Sequence, residues 1–310
     1  MNRRTFLQTT AATIAGTALP AFAETATRIV DTHVHFWDPT RKQGVPLPGK
    51  GSPLYRPVLP ADWKKVASPH GVKETVVVEA SHWVEDNQWI LDLAANEKSI
   101  VGFIGNLDPT DAGFSANLKR FAANPLFRGI RWRGDLVQLD ATKDHVKRGT
   151  KELGDHGLVL ELNGKPSMLA EAAKIAGGLP DLRIMIDHVG SAGDATHLTD
   201  EWREGMKAAG KRKNIFLKVS ALTEQTDEST RSYGHAPRDT AYYQPILDYC
   251  WECFGEDRVV YGSNWPVCEK GGTYADEFKI VSEYSAAKGS GASEKYFWKN
   301  SLAAYRWIER

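Results

Sequence analysis

Eight short apolar runs alternate with amphipathic segments along most of this 310-residue chain. The runs lack strict polar–apolar alternation, so we interpret them as strands covered on both faces. They span residues 28–33, 73–80, 100–107, 127–132, 158–163, 182–188, 214–220 and 258–263. Segments with apolar residues at helical spacing lie between them, at residues 87–98, 112–123, 143–156, 166–177, 199–213 and 242–254. Eight strand–helix units without a Gly-rich dinucleotide fingerprint predict an α/β fold, a closed (β/α)8 TIM barrel.

The N-terminal segment has a different composition from the rest of the chain. The pair Arg3-Arg4 precedes an Ala/Thr-rich apolar run, and small residues at 21–23 follow it. These are the three regions of an export signal, and the paired arginines followed by Phe-Leu indicate the twin-arginine route. We therefore expect a signal peptide at residues 1–23, one barrel domain at residues 24–310, and a periplasmic protein.

Charge and cysteine content restrict the partners that the chain can have. The 39 basic and 39 acidic side chains balance and are spread along the chain, which argues against a nucleic-acid partner. We expect a small-molecule substrate and no membrane attachment after signal removal, and the sequence leaves the oligomeric state open. The three cysteines, an odd number for an exported protein, predict no disulfide framework. Cys250 and Cys253 fall in a predicted helix, where we interpret them as small buried hydrophobes.

Histidines at the ends of two predicted strands indicate a catalytic site. His33 and His35 follow the first strand, and because residues two apart in a strand share a face, their Cα atoms are about 6.6 Å apart on one side. Two such nitrogens can share a metal ion or a substrate oxygen. His188 ends the sixth strand and faces the same opening, because active sites of barrels lie at the C-terminal ends of the strands. The three imidazoles are predicted to form one site.

Seven motifs along the mature chain resemble those of the amidohydrolase superfamily, in the branch that contains L-fuconolactonase, L-rhamnonolactonase and 2-pyrone-4,6-dicarboxylate lactonase. The motifs are DTHVHFWD at 31–38, GIRW at 129–132, DHVG at 187–190, KVS at 218–220, FGEDR at 254–258, GSNWPV at 262–267 and WKNSLAAY at 298–305. The resemblance implies a barrel hydrolase that opens lactones or related ring esters.

The chain departs from the family pattern at the eighth strand, where Asn264 stands in place of an aspartate. An aspartate could take a proton from the attacking water, whereas an amide has no such capacity. Three explanations are open. A zinc ion held by His33, His35 and His188 could activate water, or the protein could be metal-free with His188 as the base and Asn264 orienting water or the substrate carbonyl. Alternatively, the protein binds a sugar-derived ligand without turnover.

Five further residues are predicted to contact the substrate: Arg131, Trp37, His82, Lys218 and Trp265. A guanidinium at a strand end offers a planar fork for a carboxylate or a lactone oxygen, but Arg131 could instead form a salt bridge within the barrel. The alternative for Lys218 is an ion pair inside the strands, with Glu161 as its partner. The long segments at residues 38–60 and 223–240 leave C-terminal strand ends, so we interpret them as walls of the pocket.

The predicted function is therefore hydrolysis of a lactone or similar ring ester of a sugar acid. The catalytic residues are predicted to be His33, His35, His188 and Asn264, with Arg131 holding the substrate. Two alternatives are a periplasmic binding protein that has lost turnover and a non-oxidative decarboxylase, because decarboxylases occur in neighbouring branches of the superfamily.

Overall fold

Eight parallel strands follow one another in sequence order around a barrel in the computed structural model of the protein. The structure describes residues 28–135, 137–226 and 235–310. The strands are β1 (Val30–Val34), β2 (Glu74–Val78), β3 (Ile100–Gly105), β4 (Phe127–Arg133), β5 (Val159–Asn163), β6 (Arg183–Ile186), β7 (Ile215–Val219) and β8 (Val259–Tyr261). The predicted (β/α)8 TIM barrel is confirmed. Every strand lies within one of the eight predicted runs or extends at most one residue beyond it.

Helices cover the outside of the barrel. They are α1 (Pro60–Ala67), α2 (Val84–Asn96), α3 (Phe114–Ala122), α4 (Asp144–Asp155), α5 (Met168–Gly178), α6 (Asp200–Gly210), α7 (Thr240–Phe254), α8 (Tyr274–Ala287), α9 (Ser290–Glu294) and α10 (Asn300–Tyr305). A π-helical turn, Lys295–Lys299, joins the last two. Helices α2 to α7 correspond to the six predicted segments, whereas α1, α8, α9 and α10 lie outside them. Cys250 and Cys253 both lie in α7, as predicted.

The barrel closes where β1 meets β8, and hydrogen bonds from polar side chains and backbone amides connect the two strands. Thr32 donates to the carbonyl of Tyr261, and the backbone amide of Ser263 donates to Asp31 Oδ1 at 2.8 Å. The amide of His35 donates to the carbonyl of Trp265 at 2.9 Å. These three bonds join β1 and the residue that follows it to β8 and the residues that follow it, so they hold the two strand ends side by side.

Several predictions concern parts of the chain that the structure describes only in part. The predicted signal peptide at residues 1–23 lies outside the described residues, as do residues 227–234 of the second predicted pocket wall. The first predicted wall is described, and Leu47, Pro48, Gly49, Ser52 and Leu54 line a cavity at the barrel mouth. None of the helices in the described ranges has the length and apolar character needed to cross a membrane.

Candidate active site

Three strand ends carry site residues on backbone that bulky side chains rarely adopt. His188 and Val189, after β6, have φ angles of 51° and 48°, and Asn264, after β8, has a φ angle of 61°. Ala221, after β7, has a φ angle of 56°. Left-handed backbone at a non-glycine residue costs about 1–3 kcal/mol and persists where the surrounding structure imposes it. Here it turns the side chains of His188 and Asn264 towards β1, where His33 and His35 lie.

The predicted residues do converge. The ring centroid of His33 lies 4.9 Å from that of His35 and 4.5 Å from that of His188. Asn264 Oδ1 lies 3.1 Å from His35 Nε2. The three imidazoles and the carboxamide therefore form one cluster, as their positions at the strand ends predict.

Lys218 lies in the buried part of this cluster and has no exposed side-chain surface. Its Nζ is 2.9 Å from Glu161 Oε2, 3.2 Å from Asp187 Oδ1 and 3.1 Å from His33 Nδ1. Burial alone would raise the pKa of the Asp187 carboxyl, but the Lys218 ammonium and the nearby imidazoles lower it well below its ordinary value. Burial and the charge on Asp187 raise the pKa of Glu161 to about 7. This geometry favours the ion pair with Glu161 over a substrate contact for Lys218.

Arg131 forms the salt bridge that was its predicted alternative, and it also faces the cavity. Its Nε and Nη2 donate to Glu79 Oε1 at 2.9 and 2.7 Å, which fixes one side of the guanidinium. Its Nη1 lies 3.3 Å from His33 Nε2 and 3.8 Å from Asp187 Oδ2. Because Arg131 lines the cavity, its guanidinium brings positive charge to the barrel mouth.

His188 differs from the other two histidines in the use of its ring nitrogens. The Nε2 of His33 lies beside Arg131 Nη1, and its Nδ1 lies beside Lys218 Nζ. The Nδ1 of His35 lies 2.9 Å from the Val78 carbonyl oxygen, and its Nε2 lies 3.1 Å from Asn264 Oδ1. The Nδ1 of His188 lies 2.9 Å from Ser220 Oγ, while no residue that the structure describes forms a hydrogen bond with its Nε2. His188 is therefore the imidazole with a nitrogen available to a water molecule or a substrate.

All three imidazoles are neutral near pH 7. Burial, together with the charge of Arg131, lowers the pKa of His35 to about 3. Burial lowers the pKa of His188 to about 4 although Asp187 opposes the shift. Burial and the neighbouring Lys218 lower the pKa of His33 well below its ordinary value. A neutral imidazole can accept a proton, so the site retains groups that can act as a base without an aspartate at position 264.

We expect the free energy of unfolding to fall as the pH drops below 6.5, because His35 and His188 are neutral when folded and take up protons on unfolding. Their folded pKa values, about 3 and about 4, lie below the ordinary value of 6.5. The stability that they contribute is thus complete above pH 6.5 and is lost as the pH falls towards the folded values. His188→Gln removes one of these groups, so urea unfolding between pH 6 and 4.5 should show a slope smaller by about 1.4 kcal/mol per pH unit. An unchanged slope would show that His188 is not held neutral.

A cavity of about 660 Å³ adjoins the cluster at His35, whereas His33, His188 and Asn264 are not among its described lining residues. His35, Arg131 and Glu79 line its base, and Trp37 and His82, both predicted to contact the substrate, line its side. Trp265, a further predicted contact, is buried and donates through Nε1 to Glu269 Oε1 at 3.0 Å. Neither Trp265 nor Lys218 belongs to the described lining. Aromatic faces together with Asn106, Asp108 and Asp111 give the wall both apolar surface and acceptors for hydroxyl groups.

The residues whose donor atoms converge as metal ligands differ from the predicted His33, His35 and His188. Among the described residues, His33, Asp187 and His188 place donor atoms within 4.8 Å of one another. Both oxygens of Asp187 are buried and accept no well-formed hydrogen bond from the described residues, although Lys218 Nζ lies 3.2 Å from Oδ1, and such a carboxylate suits a metal ligand. His35 is directed elsewhere, because its nitrogens face the Val78 carbonyl and Asn264 Oδ1.

The same carboxylate already lies beside a cation. Lys218 Nζ is 3.2 Å from Asp187 Oδ1 and 3.1 Å from His33 Nδ1, and Arg131 Nη1 is 3.3 Å from His33 Nε2. A divalent ion bound to His33 would have to displace one of these two positive groups, at a large electrostatic cost in a buried site. The arrangement of these residues does not fit a metal ion at His33, so the steps proposed below use side chains alone.

Four carboxylate residues of the site were not predicted from sequence to be functional. Asp187 lies within the quoted DHVG motif, and Glu79 directly follows β2, so their positions at strand ends were the available signal. Glu161 was considered only as a partner for Lys218. Glu224 lies in a short turn after β7 and belongs to no recognisable motif, yet its Oε1 accepts a hydrogen bond from Asn264 Nδ2 at 2.6 Å.

Comparison with known proteins identifies the family of this chain. The Amidohydrolase family model matches residues 30–307. The L-fucono-1,5-lactonase of Burkholderia ambifaria is 28% identical over 249 residues, which are 80% of this chain and 83% of that protein. A crystal structure of an amidohydrolase from Burkholderia multivorans with bound zinc is similar with a TM-score of 0.79 at 21% identity, over 91% of this chain and 100% of that one.

A second solved structure is also similar to this chain over most of its length. It is described as a probable 2-pyrone-4,6-dicarboxylic acid hydrolase from Acinetobacter baumannii with bound citric acid, and it is similar with a TM-score of 0.73 at 16% identity, over 90% of this chain and 100% of that one. At these identities the two structures support the barrel fold, whereas the family match carries the assignment. This chain belongs to the amidohydrolase family and is a hydrolase of that superfamily.

Proposed function

We propose that the protein hydrolyses a lactone, or a related ring ester, of a sugar acid at the mouth of the barrel. The observation that carries the proposal is the His188 imidazole, which is neutral, is held through Nδ1 by Ser220, and keeps Nε2 available beside the Arg131–His33 pair. The relatives named as L-fucono-1,5-lactonases support a sugar lactone as the substrate. The mixed aromatic and polar wall of the cavity suits a polyhydroxylated ring.

In the first step, a water molecule attacks the lactone carbonyl carbon and His188 Nε2 takes a proton from that water. Negative charge develops on the carbonyl oxygen, and the Arg131 guanidinium stabilises it through Nη1. Glu79 holds the rest of the guanidinium, so the charge is already in place before the substrate arrives. Asn264 orients the water or a substrate oxygen from the β8 side.

In the second step, the tetrahedral intermediate collapses and the bond between the carbonyl carbon and the ring oxygen breaks. The ring oxygen leaves with the proton that His188 took up, which returns the imidazole to its neutral form. The product is an open-chain hydroxy acid whose carboxyl group ionises at neutral pH. Each turnover therefore releases one proton to the solution.

A panel of aldonolactones in weak buffer with a pH indicator tests this proposal. We expect saturable acid release above the spontaneous rate for at least one lactone, and we expect it to persist after treatment with a chelator, because the proposed steps use no metal. Loss of activity on chelation, with recovery on adding zinc, would favour a zinc-activated water instead. No acid release above background, with or without added zinc, would remove lactonase activity from consideration. Lactone binding without turnover would then favour the binding-protein alternative, and product analysis would identify decarboxylation.

We also propose that the protein acts in the periplasm after twin-arginine export, which rests on Arg3-Arg4 and the apolar segment that follows them. Fractionation of cells that express the full chain should place the processed protein in the periplasm. Replacing both arginines with lysine should retain it in the cytoplasm.

A further inference from the structure

The side-chain amide of Asn264 lies between two groups that determine its orientation. Its Nδ2 donates to Glu224 Oε1 at 2.6 Å, and its Oδ1 lies 3.1 Å from His35 Nε2. Asn264 itself is 3% exposed, so its contact with His35 is buried, whereas its contact with the half-buried Glu224 is partly buried. A short contact between an amide and an ionised carboxylate is stronger than a neutral hydrogen bond.

The carboxylate of Glu224 decides which end of the amide faces His35. An ionised carboxylate can only accept hydrogen bonds, so it binds Nδ2 and leaves Oδ1 on the opposite side. The imidazole alone could not make this choice, because a ring nitrogen donates in one form and accepts in another. The orientation of Asn264 Oδ1 in the site therefore follows from the charge on Glu224.

Glu224 is held in place by buried contacts of its own turn. The amides of Leu222 and Thr223 donate to the buried carboxyl of Glu277 at 2.7 and 3.1 Å. Gly271 packs so closely on this turn that an added Cβ would lie 2.1 Å from the carbonyl oxygen of Thr223. The turn Leu222–Glu224 is thus fixed from two sides, and a carboxylate on it has a defined position.

We propose that Glu224 is a positioning residue for the hydrolysis: it fixes the Asn264 amide with Oδ1 facing His35 and brings to the β8 side of the site a negative charge that Asn264 lacks. This inference rests on the proposed lactone hydrolysis, since it assigns Glu224 a part in that reaction. Glu224 acts through Asn264, so two residues share the function of one carboxylate. Glu224, on the turn after β7, supplies the negative charge, and Asn264, after β8, makes the contact with His35.

A charge swap tests the proposal. Glu224→Gln removes the charge but keeps the size of the side chain, and we expect kcat to fall about 100-fold while KM changes by less than about threefold. The double variant Glu224→Gln with Asn264→Asp moves the carboxylate from position 224 to position 264, and the glutamine amide at position 224 can donate to it. We expect the double variant to recover kcat to within about tenfold of the wild type. Because an aspartate at position 264 could itself take a proton from water, the single variant Asn264→Asp is measured as well. A positioning role predicts that Glu224→Gln lowers kcat in the Asn264 protein but not in the Asn264→Asp protein, whereas a purely structural role predicts the same fall in both.

Glu269→Gln is the matched control, because Glu269 is a carboxylate on the neighbouring turn that bonds Trp265 and Arg56 but not Asn264. Its kcat should stay within about threefold of the wild type. Glu224→Gln with unchanged kcat, or a double variant no faster than the single variant, would overturn the proposal.

A measurement without turnover separates this inference from the proposed function. In 15N-labelled protein, the side-chain amide of Asn264, assigned by its loss in Asn264→Asp, should have a proton shifted strongly downfield by the carboxylate, and Glu224→Gln should move that proton upfield. If the wild type opens no lactone, the proposed function fails while this shift still reports the contact. An amide signal that Glu224→Gln leaves unchanged would overturn the positioning role, whatever the enzyme hydrolyses.

Discussion

Replacing Lys218 with methionine is expected to lower the free energy of unfolding by about 3–5 kcal/mol, the cost of leaving buried charges without their partner. Lys218 Nζ lies between Glu161 Oε2 at 2.9 Å and Asp187 Oδ1 at 3.2 Å, and all three side chains are fully buried. Without the ammonium, two carboxylates would remain close together in a medium that stabilises neither. Urea unfolding of the wild type and Lys218→Met at pH 8 measures the difference.

The control is a second substitution that removes one of the two carboxylates. Burial and the charge on Asp187 already raise the pKa of Glu161 to about 7, and Glu161→Gln makes this side chain neutral. The double variant Lys218→Met with Glu161→Gln should therefore recover part of the lost stability. If Lys218→Met and the double variant unfold at the same urea concentration, the ion pair does not explain the stability. A Lys218→Met protein as stable as the wild type would contradict the burial of this cluster outright.

Replacing His188 with glutamine is expected to lower kcat by about 10²–10⁴-fold, the usual contribution of a general base. Glutamine keeps much of the volume of histidine but cannot take a proton from water. KM should change little, because His188 is proposed to act on the water and not to bind the sugar ring. Initial rates of acid release over a range of lactone concentrations give both constants.

Ser220→Ala provides a graded comparison for this substitution. The hydroxyl of Ser220 contacts His188 Nδ1 at 2.9 Å, so its loss should loosen the imidazole without removing it. We expect a fall in kcat that is smaller than that of His188→Gln. If His188→Gln hydrolyses the lactone at the wild-type rate, His188 is not the base, and His35 becomes the candidate.

The strands were predictable from sequence because burial on both faces requires a continuous apolar run. The residues at which the strands end were harder to predict. Residues 182–188 predict a strand through His188, yet β6 ends at Ile186, and residues 258–263 predict a longer strand than Val259–Tyr261. In both places the chain leaves the ladder for the turns that carry His188 and Asn264, both at positive φ. Functional strand ends depart from the regular pattern on which the prediction depends.

The residues of the site that lie at strand ends were predictable from sequence, whereas the contacts that they make were not. His33, His35, His188 and Arg131 lie at strand ends, which placed them at one mouth. Which nitrogen of each imidazole is engaged depends on partners far away in sequence, such as Val78 for His35 and Lys218 for His33. Glu224 follows no strand directly and completes no motif, so only the fold brings it to Asn264.

The most direct test of the proposed mechanism is a structure of the wild-type protein with a sugar lactam, which keeps the ring and the carbonyl of a lactone but is opened far more slowly. This mechanism predicts that the ring lies in the cavity against Trp37, with its carbonyl oxygen within hydrogen-bond distance of Arg131 Nη1 and its carbonyl carbon open to a water beside His188 Nε2. A lactam bound elsewhere, or bound with its carbonyl oxygen turned away from Arg131, would contradict it.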